Sequence, residues 1–251
     1  VLVPLNWRLH ARELEGMLRR TAPRLLVTAP DEPMVSLAAA LGAVEGMPPQ
    51  VTVAEVFDAM ADADPAPVTT ETLTETDTAV LLFTGGTTGT PKAAQISHGQ
   101  VVWNTINTHL GDIQGTDTFL NIFPLFHAGG LFAFSVPVLI LGGTVVQTKS
   151  FDPAAVLHTI ADEQVTIFGG VPTMFQMMAG SDAWAGADLS SLRFCMSGGA
   201  PMPVPLIEQY AAEKQVTFRQ GFGMTEFGPG VFSLAAEDAV PDLAQPLRAA
   251  G

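Results

Sequence analysis

From residue 78 onward, short apolar runs alternate with segments of helical spacing, and few folds accommodate that pattern. Strand-like runs lie near 79–83, 118–123, 143–147, 165–168, 193–196 and 216–219. Helical segments lie near 99–110, 152–162, 171–179 and 202–212. Parallel strands need long crossover connections, and helices supply them. The alternation therefore predicts an α/β fold of mostly parallel sheets flanked by helices. Upstream, Leu14, Met17 and Leu18 sit at helical spacing within 11–20, 24–28 reads as a strand, and 31–41 and 53–60 read as helices. No internal repeat of 20–50 residues is visible.

Glycine-rich loops follow several of these strands: 84–92, Gly169–Gly170, 197–201 and 221–228. In open α/β sheets ligands gather beyond the carboxyl ends of strands, so the loops point to a shared site. The loop from Thr84 to Lys92 is the most informative. Gly85, Gly86 and Gly89 let the backbone turn several N–H groups toward one concave spot. Thr84, Thr87, Thr88 and Thr90 add hydroxyls, and Lys92 adds a positive charge. That set of donors suits a polyphosphate. It is not a Walker A loop, because Lys92 stands between Pro91 and Ala93. A polar turn between two strands is the plainer alternative. Lys92 is, however, the only Lys or Arg between Arg24 and Lys149, in a chain of net charge −14.

That charge excludes whole classes of function. Nucleic-acid binding draws its affinity from Lys and Arg meeting phosphates, and attraction to an anionic membrane surface does the same. The lone cysteine, Cys195, has no partner for an internal disulfide and lies in an apolar run, where a buried thiol is expected. Residues 119–148 contain no Asp, Glu, Lys or Arg, long enough to span a bilayer. Pro124, Gly129, Gly130, Pro137, Gly142 and Gly143 break the stretch, so a buried helix followed by a buried strand is expected, with no integral membrane segment. His10, His109 and His158 share no spacing of a metal site. A cytoplasmic location is expected.

Five segments in order resemble the adenylate-forming superfamily of acyl- and aryl-CoA synthetases, luciferases and peptide-synthetase adenylation domains. They are VPLNWRL from Val3, TGGTTGTPK from Thr84, PLFHAGG from Pro124, SGGAP from Ser197 and QGFGMTE from Gln220. The resemblance covers about residues 1–238. It departs at Gly85, where serine is usual, and at Ala93, where glycine is usual. It implies the large domain of such an enzyme, closest to fatty-acyl-CoA ligases, with Thr84–Thr90 and Lys92 holding ATP phosphates. It further implies Phe222 stacked on adenine within the loop Gln220, Gly221, Phe222, Gly223, Met224, and Gly199, Ala200 and Pro201 lining the base's other side. Thr225 would donate to the α-phosphate and Glu226 would hold Mg²⁺, which prefers carboxylate and phosphate oxygens. Lys92, Thr225 and Glu226 are thus the candidate catalytic residues. His127 would sit beside the acyl pocket as a gate; a hydrogen-bonded core histidine is the alternative. Phe168, Gly169, Val171 and Met174 would line an acyl tunnel; a plain strand-to-helix turn, with Pro172 opening the helix, explains the same letters. His98 resembles a position of mainly structural use.

The implied chemistry joins a carboxylic acid to AMP and then to CoA, a second substrate, with no protein nucleophile. The domains expected are a partial first subdomain (1–61), an acidic connecting segment (62–77), the phosphate-loop and adenine/acyl core (78–238) and an atypical tail (239–251). Nothing after Glu226 resembles the family's ribose-binding aspartate, hinge or lysine-bearing C-terminal domain. The chain therefore reads as a fragment, weak or inactive by itself. Two other readings stand beside it: a non-catalytic nucleotide-binding remnant, and a peptide-synthetase-type adenylation domain. The apolar tunnel candidates offer no acidic partner for an amino acid's ammonium group, which favours the CoA ligase. The sequence is silent on oligomeric state.

Overall fold

The computed structural model describes residues 1–61, 63, 72–85 and 91–234. It divides into two compact units, Val1–Gln95 and Ile96–Gly251. The first opens with α1 (Ala11–Thr21), β1 (Leu26–Thr28), α2 (Met34–Gly42), β2 (Gln50–Thr52) and α3 (Val53–Ala61), followed by the pair β3 (Thr78–Thr84) and β4 (Lys92–Ser97). His10 caps α1 by accepting from the Arg12 N–H, and Glu13 reaches back to the His10 N–H, as a capping box does. Leu14, Met17 and Leu18 then point inward with Leu41, and Leu5, Leu26 and Phe83 pack around them. β1 and β2 pair in parallel.

The second unit holds α4 (His98–Leu110), β5 (Thr118–Asn121), α5 (Ala128–Leu131), α6 (Ser135–Leu141), β6 (Thr144–Gln147), α7 (Pro153–Asp162) and β7 (Ile167–Gly170). It continues with α8 (Pro172–Ala179), β8 (Phe194–Gly198), α9 (Val204–Lys214), β9 (Phe218–Gly223), a 3₁₀ turn (Thr225–Phe227) and β10 (Gly230–Leu234). Six strands form one sheet in the order β10-β9-β8-β7-β5-β6. Every pairing is parallel except β9 with β10. The fold class is thus α/β with a mixed sheet flanked by helices. Successive side chains of a strand face opposite sides. Phe119, Ile167 and Phe194 accordingly join Phe134 and Val138 in one core, while Leu120, Phe168 and Cys195 join Phe175, Tyr210 and Phe218 in the other. Burial pushes the Cys195 thiol well up, so it is protonated and inert at neutral pH.

A polar knot ties the amino ends of the strands. Asp117, Thr166 and Arg193 immediately precede β5, β7 and β8. One Arg193 Nη is 2.8 Å from both Asp117 oxygens, the Thr166 hydroxyl donates to the same carboxylate at 2.7 Å, and the Gln114 N–H donates at 2.7 Å. Asp112 adds an ion pair with Arg193 at 2.7 Å and one with Arg219 at 3.0 Å. The Asp117 side chain is 1% exposed, so this is not a solvated surface pair.

The apolar run 119–148 becomes β5, α5, α6 and β6 in turn. Among the described residues no helix is long and apolar enough to cross a membrane. The expected buried helix is only half buried, since Leu139 and Ile140 of α6 face outward. Residue 62, most of the acidic segment after it, the loop residues Gly86–Thr90 and the tail from 235 lie outside the described residues.

Candidate functional site

In the second unit, four adjacent parallel strands end on the same edge of the sheet. Leu120 pairs with Phe168, Gly170 with Ser197, and Gly198 with Gly221. Apart from His98, which opens α4, the segments singled out from the sequence in this unit lie at or directly after these carboxyl ends, Phe168 and Gly169 within β7 and Gln220–Gly223 within β9. β5 leads to His127, β7 to Val171 and Met174, β8 to Gly199–Pro201, and β9 to Met224–Glu226. The sheet register, not proximity in sequence, gathers them.

The β8 and β9 loops meet directly. Gly199 takes φ +77, a left-handed conformation that glycine adopts without strain. A Cβ at Gly199 would come within 3.5 Å of the Val171 side chain. Gln220 Nε2 donates to the Ala200 carbonyl at 3.3 Å, clamping one loop onto the next strand. Phe222 is 56% exposed, which leaves a ring face open for stacking. Phe232 stands opposite it on β10, ring centroids 6.1 Å apart. Pro201 is exposed, and Gly221 is half-buried above Met196. Gly223 has no room for a side chain: a Cβ there would fall 2.0 Å from the Pro229 carbonyl oxygen.

Beyond Gly223 and Met224, Thr225 opens the 3₁₀ turn and Glu226 follows it, exposed. The Glu226 carboxylate makes no hydrogen bond among the described residues. Its backbone is fixed instead, because Gln100 Nε2 donates to the Glu226 carbonyl at 3.2 Å. A free carboxylate on a tethered backbone suits Mg²⁺, which binds through one or two carboxylates together with phosphate oxygens and water. No group of three or more His, Cys, Asp and Glu side chains that could cage a metal occurs among the described residues.

His127 caps α5, its Nδ1 accepting from the Gly129 N–H at 3.1 Å. The neutral ring therefore carries its proton on Nε2, and the ring is exposed. The β7 end is lined by aromatic rings. Phe168 is fully buried against Phe175, and a Cβ at Gly169 would come within 3.4 Å of the Phe134 ring. The Phe134 and Phe119 rings border Gly169 at ordinary contact distance, and Val171 and Met174 keep partial exposure.

In the first unit, Thr84 ends β3, Gly85 follows it, and Lys92 begins β4. A Cβ at Gly85 would meet nothing within 4 Å, so a serine there would fit. Gly86, Thr87, Thr88, Gly89 and Thr90 fall outside the described residues. Lys92 lines an open groove of about 430 Å³ with Arg20, Thr21, Phe83, Pro91 and Gln95. The Arg20 guanidinium lies over the Phe83 ring at 6.0 Å. Two cations on one groove in so acidic a chain mark a local anion preference. Sequence reading passed over Arg20, whose signal was its place among few basic residues. It also passed over Gln100, although Ser97-x-x-Gln100 is a visible capping-box pattern.

The family model described as AMP-binding enzyme matches residues 1–250. A feruloyl-CoA synthase of Amycolatopsis sp. is 39% identical over 236 residues, 93% of this chain and 46% of that protein. The long-chain-fatty-acid–CoA ligase FadD13 of Mycobacterium tuberculosis is 31% identical over 250 residues, 96% of this chain and 48% of that protein. The crystal structure of ATP-bound MatB from Rhodopseudomonas palustris superposes with a TM-score of 0.81 at 26% identity, covering 96% of this chain and 48% of that one. The chain spans about half the length of the curated relatives it matches.

Proposed function

This chain belongs to the AMP-binding enzyme family, and from that membership we propose that its parent protein activates a carboxylic acid with ATP and transfers the acyl group to CoA. The observation that carries the reading is the alignment of the Gly199–Pro201, Phe222 and Thr225–Glu226 segments at the ends of neighbouring parallel strands. A base, an α-phosphate and a cation are thereby offered partners along one sheet edge.

In the first step a carboxylate oxygen bonds to the α-phosphorus, the bond to the bridging oxygen breaks, and pyrophosphate leaves. Two anions must meet, so the work of the site is electrostatic. Mg²⁺, when bound, neutralises charge on the phosphate oxygens. Glu226 would hold it, Thr225 would donate to the α-phosphate, and Lys92 would carry positive charge to the phosphates from the loop that starts at Thr84. Phe222 would fix the adenine by stacking. In the second step the CoA sulfur bonds to the acyl carbon and AMP leaves with the electrons of the acyl–oxygen bond. His127, with its proton on Nε2, would orient the incoming acid. ATP and CoA pools favour a cytoplasmic location.

The acid is proposed to be apolar. A fatty chain is the first expectation, and the likeness to a feruloyl-CoA synthase supports an aryl acid in its place. A panel of fatty, aryl and amino acids on the full-length protein, read by acid-dependent ATP–pyrophosphate exchange and thioester formation, tests both levels. Turnover of aryl acids alone selects the aryl reading, and turnover of long-chain acids restores the fatty one. Amino-acid activation without CoA transfer turns the assignment to the peptide-synthetase type. No exchange with any acid, with ATP still bound, leaves the nucleotide-binding remnant.

Lys92→Ala is expected to weaken ATP binding by about 1.5–3 kcal/mol, the range for a charge-assisted hydrogen bond. Calorimetric titration of full-length wild type and variant measures it. An unchanged affinity removes Lys92 from the site.

A further inference from the structure

Gln100 and Asn104 stand one turn apart on the same face of α4, and each side-chain amide uses both its oxygen and its nitrogen. Gln100 Oε1 accepts from the Ser97 N–H at 2.9 Å, closing the helix cap, while its Nε2 donates to the Glu226 carbonyl at 3.2 Å. Asn104, 5% exposed, accepts from the Gly230 N–H at 3.3 Å and donates to the Phe132 carbonyl at 2.7 Å. The two amides therefore grip the segment from Glu226 to Gly230 at both of its ends. Between them Gly228 turns through φ +90, where an added Cβ would lie 3.6 Å from the Gln100 Cβ. Phe132 directly follows α5, the helix that His127 caps. One buried amide thus joins the Glu226 segment to the His127 segment, although 126 residues separate Asn104 from Gly230.

We propose that Gln100 and Asn104 are positioning residues: Gln100 sets the direction of the Glu226 carboxylate through its backbone, and Asn104 couples that segment to the acid-side helix α5. The physical reason is that the Glu226 side chain is exposed and has no hydrogen bond of its own among the described residues. Its aim is fixed no better than the backbone beneath it. The role in catalysis rests on the reading of Glu226 as the Mg²⁺ ligand, whereas the grip on the loop does not.

The test uses the full-length protein carrying Gln100→Glu. A glutamate keeps the cap, because its carboxylate still accepts from the Ser97 N–H, but it has no N–H to give the Glu226 carbonyl. The midpoint of thermal unfolding is expected to fall by no more than about 2–4 °C, the loss of that one hydrogen bond with the cap intact. The Mg²⁺ concentration for half-maximal ATP–pyrophosphate exchange is expected to rise about fivefold, the loss of one hydrogen bond, with KM for the acid unchanged. Backbone amides of residues 227–230 are expected to exchange hydrogen faster. Asn104→Ser should raise both the Mg²⁺ requirement and the KM for the acid, because it cuts the link to Phe132 as well. Wild-type Mg²⁺ dependence together with wild-type amide exchange in Gln100→Glu overturns the proposal. So does a lowered unfolding midpoint as its only change, which makes Gln100 a helix cap and no more. If the wild type lacks acid-dependent exchange altogether, the proposed function fails, and amide exchange in the variant still decides the positioning.

Discussion

Asp117→Ala is expected to destabilise the 251-residue chain by about 3 kcal/mol, the lower end of what breaking a buried ion pair costs. The carboxylate is 1% exposed while Arg193 keeps 30%, so the residual charge is partly hydrated, which is why the lower end applies. Removing it takes an acceptor from three donors at once: the Thr166 hydroxyl, the Gln114 N–H and the Arg193 guanidinium, which keeps only its half-exposed partner Asp112. Asp117→Asn is expected to recover less than half of the loss, because a neutral amide accepts through one oxygen and turns an N–H₂ toward the others. Urea unfolding followed by tryptophan fluorescence measures both. A loss below about 1 kcal/mol would reduce the knot to an ordinary surface pair. Neighbouring Asp112 gives the same knot an acid dependence. The hydrogen bond from Gln114, aided by Arg193 and Arg219, holds its carboxyl below the ordinary value of 3.8. That contribution is complete above the unfolded value and is lost as pH falls through the lower folded one. Acid unfolding of Asp112→Asn should therefore begin at higher pH than that of the wild type.

The largest expected effect on activity comes from a single methyl group. Gly223→Ala would put a Cβ 2.0 Å from the Pro229 carbonyl oxygen, and both partners are backbone, with no flexible side-chain end to yield. The β9–β10 crossing must open, and the turn carrying Thr225 and Glu226 moves with it. A displacement on the order of 1 Å in a positioning element costs about a hundredfold in rate. Acid-dependent ATP–pyrophosphate exchange by full-length Gly223→Ala is expected to drop by at least about that factor, while far-UV circular dichroism stays close to wild type. Gly186→Ala is the matched control, since nothing lies within 4 Å of its added methyl and it belongs to none of the site segments, and near-normal exchange is expected. Equal activity in the two variants would mean that the turn absorbs the methyl without moving.

Elements whose apolar residues repeat at a clear period were legible in the sequence. α1, α7, β5 and β7 lie within a few residues of their expected places because Leu14-Met17-Leu18 and Val156-Leu157-Ile160 mark helical faces and Phe119-Leu120 and Ile167-Phe168 mark buried strands. β4 was missed: Lys92-Ala93-Ala94-Gln95 carries no alternation, and its pairing with β3 supplies what the side chains do not. β10 was missed as well: it begins at Gly230, directly after the glycine-rich loop read at 221–228, and returns antiparallel to β9. The site was legible as segments and not as an arrangement. Motif order named Gly199, Phe222 and Glu226, but only the strand register put them side by side. Asp117 with Arg193, and Asn104 with Gly230, lie too far apart in sequence for any local pattern to pair them.

The two ends of the parallel strands divide their labour. Ion pairs and hydroxyls lock the amino ends, and the carboxyl ends carry exposed loops whose conformations lean on glycine and on a few amides. Divergence can therefore run at two speeds in one sheet. Exposed loop residues at the carboxyl ends can change without touching the ion pairs and hydroxyls that hold the strands at the other end, whereas Ile122, Phe175 and Met202 in the same segments belong to the core. A library confined to exposed positions such as Leu125, His127, Thr173 and Ala200 should yield mostly folded variants, whereas equal diversity placed at Asp112, Asp117, Thr166 and Arg193 should yield mostly insoluble ones.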